Sequence, residues 1–445
     1  MSNKEGFGYK GRVLEALRKA EAEIGDNIRI VKDEEQYEGI LIPRSETADE
    51  NYVVIKMKSG YNVGIRIASN TKIEKTGKGA KPTFTSLSLP EQIQSLPKVA
   101  ILSTGGTIAS RVDYRTGAVR SALTANDLYS IVPELANVAC VDAQIVFSLF
   151  SENIGPRHWA EIARAVADYI SKGIDGVVVA HGTDTMGYTA AALSFALQDL
   201  PVPVVLVGSQ RSADRPSSDA ATNLLGAVAV AAKAPFAQVV VAMHETSSDD
   251  SIAIHQGTKV RKCHTSKRDA FKSVNAPVLA RIKDQEIVMS ASDYRKRNSG
   301  KKLVLKPEFN EHVALVKFYP NMDPKVIDWY AEKDYKGIVL EGTGLGHVGK
   351  CCYEALQNAM EQNLLVAMAS QCVWGRVNMN VYDAGRDLLA LGVVSLGDML
   401  PETGLVKLMW VLGQTQDMRK ARELLTTNIA GECSPRTLPE RNCSD

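Results

Sequence analysis

The sequence predicts an α/β protein with two domains built on mostly parallel sheets, preceded by a small β-barrel domain. From position 99 onward, short unbroken apolar runs alternate with Gly/Thr/Ser loops and alanine-rich helical segments. This order is typical of parallel strands covered by helices on both faces. Between positions 28 and 67 the apolar runs are shorter and alternate with polar residues, which is typical of half-buried antiparallel strands. A segment rich in Lys, Gly, Pro, Ser and Thr separates the two regions.

The N-terminal region, residues 1–75, is predicted to hold one helix and the barrel. Apolar residues recur at helical spacing from Tyr9 to Ile24, and Gly25 ends the pattern. Strands are expected around Ile28/Ile30, Tyr37–Ile42, Tyr52–Met57 and Val63–Ile67. Residues 76–97 are predicted to be a linker because their composition buries little apolar surface.

A larger α/β domain (98–290) and a smaller one (310–430) are predicted to follow. One helix is marked by Pro156 near its start, by a buried stripe through Trp159 and Val166, and by Gly173 at its end. The basic stretch 294–302 is expected to join the domains. The predicted strands are Val99–Leu102, Gly176–Ala180, Val204–Val207, Val239–Met243, Val313–Phe318, Ile338–Leu340 and Leu364–Ala369.

Composition excludes several classes of function. A formal net charge of +1 over 445 residues gives no broad attraction to nucleic acid or anionic lipid. The N-terminus lacks the apolar stretch of a secretory signal, and no apolar run approaches the roughly 18 residues that span a bilayer. Seven cysteines form an odd set without metal-ligand spacing. We therefore expect a soluble cytoplasmic protein with reduced thiols, no membrane contact and no metal.

Two strand-end loops carry the residue types of a catalytic site. The first is Thr104-Gly105-Gly106-Thr107, in which paired glycines let the backbone approach a ligand closely. The second is Gly182-Thr183-Asp184-Thr185, which places a hydroxyl beside a carboxylate at a helix start. Taken singly, each loop also fits a structural interpretation, because a tight turn and a helix N-cap need the same residues.

Together the loops resemble the two signature loops of the bacterial-type L-asparaginase family. The matching sequences are Thr-Gly-Gly-Thr-Ile-Ala and His-Gly-Thr-Asp-Thr-Met. Further motifs fall in family order over residues 98–413: Ser151-Glu152, Gly208-Ser209-Gln210-Arg211, Lys262, Phe271-Lys272-Ser273-Val274-Asn275 and Glu341-Gly342-Thr343-Gly344. The resemblance implies an asparaginase-like fold and amidohydrolase activity.

The resemblance also implies the catalytic residues. Thr107 matches the threonine that attacks the amide carbon to give an acyl-enzyme, and Tyr114 matches the tyrosine of a mobile lid. Its spacing from Thr107 is shorter than in secreted asparaginases. Thr183, Asp184 and Lys262 match a second constellation that can tune proton transfer. Without the family, Lys262 would be interpreted as part of a solvated basic face.

Substrate binding is implied for three residues. Ser151 matches the residue that binds the substrate α-carboxylate, and Asp184 is expected to meet the α-ammonium group. Glu152 stands where secreted enzymes usually carry glutamine, which leaves open whether glutamine or asparagine is preferred.

A glycine-rich segment, Gly344 to Cys351, offers a competing interpretation as a nucleotide site. It satisfies GxGxxG and nearly satisfies a phosphate-binding P-loop. Cys351, however, stands where Ser or Thr would ligate magnesium, and Ser370-Gln371-Cys372 after the next strand offers no acidic residue for a ribose. The asparaginase resemblance makes this segment a strand-end turn.

The N-terminal barrel distinguishes this chain from free asparaginases. A barrel ahead of an asparaginase-like pair of domains, with the run from Ser370 to Met379, resembles the GatD family of archaeal glutamyl-tRNA(Gln) amidotransferases. That resemblance implies a homodimer core within a heterotetramer and a separate GatE chain, which would bind tRNA, ATP and magnesium and receive the ammonia. No cofactor is expected in this chain. A stand-alone cytoplasmic asparaginase and a non-catalytic binding module remain as alternatives.

Overall fold

The computed structural model describes residues 8–33, 35–44, 50–57, 62–68, 70–78, 95–106, 108, 110–113, 118–121, 128–129, 132–211, 218–284 and 286–437. The predicted α/β class with its small N-terminal β domain is confirmed.

The N-terminal domain is an antiparallel sheet packed against one helix. Helix α1 (Gly11–Lys19) buries Val13 and Leu17 against the inward residues of the sheet, such as Ile28 and Ile55. The strands are β1 (Asn27–Lys32), β2 (Glu35–Leu41), β3 (Tyr52–Lys56), β4 (Asn62–Arg66) and β5 (Lys72–Gly77), in the order β4-β3-β2-β1-β5.

Strand β5 lies partly where the sequence suggested a linker. It pairs with β1 through Ile73, opposite Ile30, and its register continues to Gly77, opposite Asn27. Lys75 extends from this strand to form a 2.6 Å ion pair with Asp26. The strand therefore continues two residues past the predicted start of the linker at residue 76. Strand β5 is a polar strand at the edge of the sheet and is stabilised by backbone pairing with β1, so its side-chain composition does not identify it as a strand.

The larger α/β domain is built on an eight-stranded sheet, β18-β17-β14-β13-β12-β10-β6-β9. Strands β9, β6, β10, β12 and β13 run parallel, and the other three extend the sheet antiparallel. The eight strands are β6 (Lys98–Ser103), β9 (Cys140–Ile145), β10 (Gly176–Ala180), β12 (Val204–Val207), β13 (Val239–His244), β14 (Ser251–Gln256), β17 (Ala280–Lys283) and β18 (Glu286–Met289).

Helices cover both faces of this sheet. Helix α4 (Ala220–Lys233) packs on one face, and α2 (Pro156–Ser171) and α3 (Met186–Ala196) contribute to the core on the other. Short antiparallel pairs lie around the domain: β7 (Ser110–Asp113) with β8 (Ala118–Ser121), β11 (Leu197–Gln198) with β19 (Val304–Leu305), and β15 (Val260–Lys262) with β16 (Phe271–Ser273).

The smaller domain is a four-stranded parallel sheet with helices. Its strands are β20 (Val313–Lys317), β21 (Gly337–Gly342), β22 (Leu365–Ser370) and β23 (Val394–Ser395). Its helices are α5 (Lys325–Glu332), α6 (Tyr353–Glu361), α7 (Asp383–Leu391), α8 (Pro401–Gln414) and α9 (Met418–Thr426). Helix α8 packs on α3, where the rings of Trp410 and Phe195 stack with centroids 6.0 Å apart. The two α/β domains therefore share a core at this helix pair.

Candidate active site

The site lies at the carboxyl ends of two adjacent parallel strands, β6 and β10. Ser103 and Ala180 are register partners at these ends, so the loops that follow start side by side. Thr104 fixes the first loop to the second strand, because its backbone N–H and its hydroxyl both donate to the carbonyl of Ala180 at 3.0 Å. Loops beyond the carboxyl ends of parallel strands are where such sheets place ligands.

Glycines let these loops approach each other closely. Gly106 has a φ of 81°, and a Cβ there would lie 2.8 Å from the backbone nitrogen of Gly182. A Cβ on Gly182 would lie 2.8 Å from the Cβ of Ser151. Any larger residue at either position would push the loops apart. Gly106, one of the paired glycines identified in the sequence, therefore serves a close backbone approach as well as a turn.

Lys262 joins the second loop from a distant part of the chain. Its ammonium group lies 2.9 Å from the hydroxyl oxygen of Thr183 and 2.8 Å from a carboxylate oxygen of Asp184. The lysine side chain is 13 % exposed, whereas the Asp184 side chain is 70 % exposed. Lys262 therefore contacts Asp184 from the buried side, and the exposed side of the Asp184 carboxylate remains open to a cationic ligand.

Ser151 is brought against the same loop, on a short 3-10 turn (Ser151–Asn153). It is buried, and its carbonyl accepts a 2.6 Å hydrogen bond from the hydroxyl of Thr185. The neighbouring side chain of Glu152 is exposed. Helix α3 begins at Met186, directly after Thr185, so its N-terminal end faces this region and favours negative charge there.

A buried hydrogen-bond chain supports the second loop from inside. The hydroxyl of Thr189 lies 2.9 Å from Nε2 of His181 and accepts a 3.2 Å hydrogen bond from the indole of Trp159. Nδ1 of His181 lies 2.6 Å from the carbonyl of Gly182, which can only accept. We therefore assign the proton to Nδ1, so that Thr189 donates to Nε2. Burial lowers the pKa of His181 to about 4, against the opposing effect of the Gly182 carbonyl.

This network gives His181 a structural role beside the second loop. Sequence reasoning missed Thr189, because a threonine inside an alanine-rich helix gives no signal of its partners. Its contact with Trp159 joins residues 30 positions apart.

A second group of charges borders the site on the small-domain side. Arg261, next to Lys262, forms a 3.1 Å ion pair with Glu402 of α8. Burial, together with the charge of Glu402, raises the pKa of Tyr188 to about 12. Burial also raises the pKa of Glu341, the last but one residue of β21. Sequence reasoning missed the Arg261–Glu402 and Tyr188 contacts, since they cross the domain boundary.

Two residues implied by the asparaginase resemblance, Thr107 and Tyr114, lie outside the described residues. Their roles remain predictions. Gly106, the residue before Thr107, lies against Gly182 at the junction of the two loops.

The glycine-rich segment after β21 forms a tight turn. The backbone N–H groups of Thr343 and His347 donate to each other's carbonyls at 2.8 Å and 3.0 Å. The chain then enters a 3-10 turn (Lys350–Cys352) and helix α6. A phosphate loop must direct such N–H groups at its ligand, whereas here two of them are used inside the turn.

Neither a metal cluster nor a membrane span occurs in the part of the chain that the structure describes. No group of three or more His, Cys, Asp or Glu side chains is placed there to hold a metal ion. No helix of that part is long and apolar enough to cross a membrane.

Models of known protein families match three parts of the chain. Residues 98–295 match "Asparaginase, N-terminal", residues 312–425 match "Glutaminase/Asparaginase C-terminal domain", and residues 22–75 match "GatD N-terminal domain". The D subunit of glutamyl-tRNA(Gln) amidotransferase from Pyrococcus furiosus is 50 % identical over 434 residues, covering 96 % of this chain and 99 % of that one. This chain belongs to the family of glutamyl-tRNA(Gln) amidotransferase D subunits, GatD.

Other relatives agree with this assignment. The D subunit from Methanopyrus kandleri is 49 % identical over 437 residues, covering 95 % of this chain and 94 % of that one. Among solved structures, the thermostable L-asparaginase from Thermococcus kodakarensis aligns with a TM-score of 0.68 and 34 % identity, covering 76 % of this chain and 100 % of that one. A probable cytoplasmic L-asparaginase from Campylobacter jejuni aligns with a TM-score of 0.63 and 29 % identity, over 75 % of this chain and 100 % of the other. The GatD family therefore adds an N-terminal domain to an asparaginase-like body.

Proposed function

We propose that this chain releases ammonia from the side-chain amide of glutamine, or of asparagine, for amidation of glutamyl-tRNA(Gln) by a partner subunit. The observation that carries the proposal is the contact of Lys262 with both Thr183 and Asp184 at the mouth of two glycine-lined loops. Near full-length similarity to amidotransferase subunits supports the tRNA-dependent role over a stand-alone asparaginase. Residues 22–75 support it further, since they match a domain named for that family.

The proposed chemistry is a two-step acyl transfer. The hydroxyl oxygen of Thr107 attacks the amide carbon, its proton leaves with the nitrogen as ammonia, and a threonyl ester remains. Water then adds to the ester carbon, and the C–O bond to Thr107 breaks to give the free acid and restore the hydroxyl. Splitting hydrolysis in this way replaces one difficult step by two easier ones.

Lys262, Thr183 and Asp184 are proposed to handle the protons. A cationic nitrogen 2.9 Å from the Thr183 hydroxyl stabilises negative charge that develops on that oxygen. Asp184 keeps the lysine in place at 2.8 Å. Side chains positioned in this manner contribute about 100-fold to 10,000-fold to proton-transfer steps.

The substrate's amino-acid end is proposed to bind between Ser151 and Asp184. Asp184 exposes most of its carboxylate, which suits an α-ammonium group. Ser151 lies beside the N-terminal end of α3, where a carboxylate is favoured. The exposed Glu152 is proposed to influence which amide is preferred. Tyr114 is proposed to belong to a lid that closes over the bound substrate.

Partners are proposed from the family. We propose a homodimer of this chain joined to two copies of GatE, which binds tRNA and carries ATP and magnesium; this chain itself needs no cofactor or metal. Four large apolar side chains between positions 373 and 382 are exposed, which suits a contact with another chain: Val373, Trp374, Val381 and Tyr382. The cytoplasm is the proposed location. Free cysteines in the described part of the chain fit a reducing compartment.

A labelling experiment tests the nucleophile. The chain is incubated with a glutamine analogue that carries a diazo ketone, and the adduct is mapped by mass spectrometry. We expect one adduct on Thr107, lost in Thr107→Val and retained in Thr107→Ser, which keeps a hydroxyl. Labelling elsewhere, or full amidase activity of Thr107→Val, would reject the assignment.

A further inference from the structure

The segment that carries Lys262 is held by the smaller domain. Residues 256–262 run from the last residue of β14 to the end of β15 and belong to the larger domain by sequence. Three residues near the start of α8 contact this segment, and we call them the α8 clamp: Asp398, Glu402 and Thr403. Their partners are Lys259, Arg261 and Thr258.

The shortest of these contacts is a buried ion pair. The ammonium group of Lys259 lies 2.8 Å from a carboxylate oxygen of Asp398, and the two side chains are 1 % and 6 % exposed. The other carboxylate oxygen of Asp398 accepts a 2.8 Å hydrogen bond from the backbone of Ser434. Burial alone would raise the pKa of Asp398, but the hydrogen bond and charge of Lys259 hold it below its usual value. A charge buried this deeply is costly without its partner.

The remaining contacts hold the segment through one backbone carbonyl and two side chains. The hydroxyl of Thr403 donates to the carbonyl of Thr258 at 3.0 Å. The hydroxyl of Thr258 donates to the carbonyl of Ala430 at 3.2 Å. Gln256 donates to the same carbonyl at 2.9 Å. The smaller domain therefore restrains several positions within a short stretch of the chain.

Successive side chains of the segment alternate between the α8 clamp and the larger domain. Lys259 and Arg261 face carboxylates of the smaller domain. Val260 packs into the core of the larger domain, and Lys262 contacts the catalytic loop. Lys259 directly precedes the extended strand β15, in which successive side chains point to opposite faces, so a displacement of the side that faces the smaller domain also moves Lys262.

We propose that Lys259 and Asp398 are positioning residues, which transmit the placement of the smaller domain to the ammonium group of Lys262. The proposal rests on the proposed catalytic role of Lys262. Among the described residues of the proposed site, none forms a hydrogen bond or an ion pair with the Lys259 side chain. A change at the Lys259–Asp398 pair should therefore alter the rate of the chemical step more than the binding of substrate.

The test compares Lys259→Met and the isosteric Asp398→Asn in the full-length chain, assayed with its amidotransferase partner for ammonia release. We expect kcat to fall about tenfold or more while KM stays within about threefold of the unmutated protein. Lys301→Met is the matched control. It removes a lysine from a 3.1 Å surface pair with Asp199, and kcat should stay within about twofold. Circular dichroism melts confirm that each variant is folded at the assay temperature. Asp398→Asn keeps the side-chain shape and provides the result if Lys259→Met does not fold.

A double-mutant comparison separates positioning from general stability. In a Lys262→Met background, Lys259→Met should lower single-turnover rates by less than about twofold, because the group it positions is already absent. A full tenfold loss in that background would overturn the proposal, as would unchanged kcat in folded Asp398→Asn. Wild-type activity of Lys262→Met would reject the proposed catalytic role of Lys262. An inactive Lys262→Met beside a fully active Lys259→Met would reject only the positioning role of Lys259.

Discussion

The ammonium group of Lys262 donates a 2.9 Å hydrogen bond to the hydroxyl of Thr183, although 79 residues separate them. A positive charge at this distance favours an oxyanion and opposes protonation of the same oxygen. Asp184 shares the lysine, yet its own carboxylate is mostly exposed, so solvent weakens that ion pair. The hydrogen bond to Thr183, rather than the ion pair with Asp184, is therefore the contact through which Lys262 is expected to affect the reaction.

Replacing Lys262 by methionine should abolish most amidase activity. Methionine keeps the length and apolar stem of lysine but carries no charge to stabilise an oxyanion or pass a proton. We expect a loss of about 100-fold or more in kcat, measured as ammonia release from glutamine and from asparagine. Lys272→Met is a suitable control. Lys272 lies on the adjoining strand β16, and its ion pair with Asp269 is long, at 3.4 Å. A drop under about threefold in Lys262→Met would reject the proton-transfer role.

The Trp159–Thr189–His181 chain should contribute to stability. Thr189→Val has nearly the same shape but leaves the Trp159 indole N–H and the His181 Nε2 buried without a partner. Each stranded group costs about 1–3 kcal/mol, so we expect roughly 2 kcal/mol or more of destabilisation in denaturant unfolding. The exposed helical Thr426 serves as control, because Thr426→Val should change stability by under about 0.5 kcal/mol. Equal stability of Thr189→Val and the unmutated protein would contradict the network.

Stability should decline in mild acid because His181 is buried in its neutral form. Its pKa is about 4 in the folded protein, below the ordinary histidine value of 6.5. Between these values the unfolded chain binds a proton that the folded chain does not. Acidification therefore favours unfolding through this window, by on the order of 3 kcal/mol in total. Melting temperatures measured from pH 7 to pH 4 should fall.

His181→Gln should fall less steeply over the same range. Replacement of the exposed His264 by glutamine should leave the slope unchanged. His255 adds to the slope in both proteins, since burial lowers its pKa to about 3. A slope in His181→Gln identical to that of the unmutated protein would show that His181 does not titrate in this way.

The seven parallel strands predicted from the sequence match observed strands to within two residues at either end, whereas the parallel strands β9 and β23 were not predicted. Strands such as β10 and β12 are buried on both faces, and burial requires the unbroken Val-rich runs that are recognisable in a sequence. β5 has the opposite character, since its residues are mostly polar and its stability comes from pairing with β1. Composition alone therefore assigned its end to a linker.

The site could be predicted only in part, for a physical reason. Thr183 and Asp184 were found because they follow a recognisable strand directly. Lys262 looked like part of a solvated basic stretch and was found only through resemblance. Lys259 and Asp398, 139 residues apart, were not found at all. A buried charge depends on a distant partner, and no local pattern encodes that partner.

The segment from Gly344 to Cys351 is not expected to bind ATP. The backbone N–H groups of Thr343 and His347 already donate within the turn, and a cysteine occupies the position of the magnesium-ligating hydroxyl. Equilibrium dialysis with ATP and magnesium should give no micromolar affinity for the isolated chain. Cys351→Ser, which restores the hydroxyl, should behave in the same way because the turn is unchanged. Micromolar binding by either protein would overturn this prediction.

Ammonia release should depend on the amidotransferase partner. An amidase that supplies ammonia for biosynthesis wastes glutamine when it acts alone, so closure of the site on assembly is an effective control. Glutamate release is measured for the chain alone and then with its partner, ATP, magnesium and glutamyl-tRNA(Gln). We expect the rate to rise on the order of tenfold in the full mixture, with glutaminyl-tRNA formed in step with glutamate. If hydrolysis is already maximal for the chain alone and no partner yields amidated tRNA, the stand-alone asparaginase interpretation replaces the proposed function.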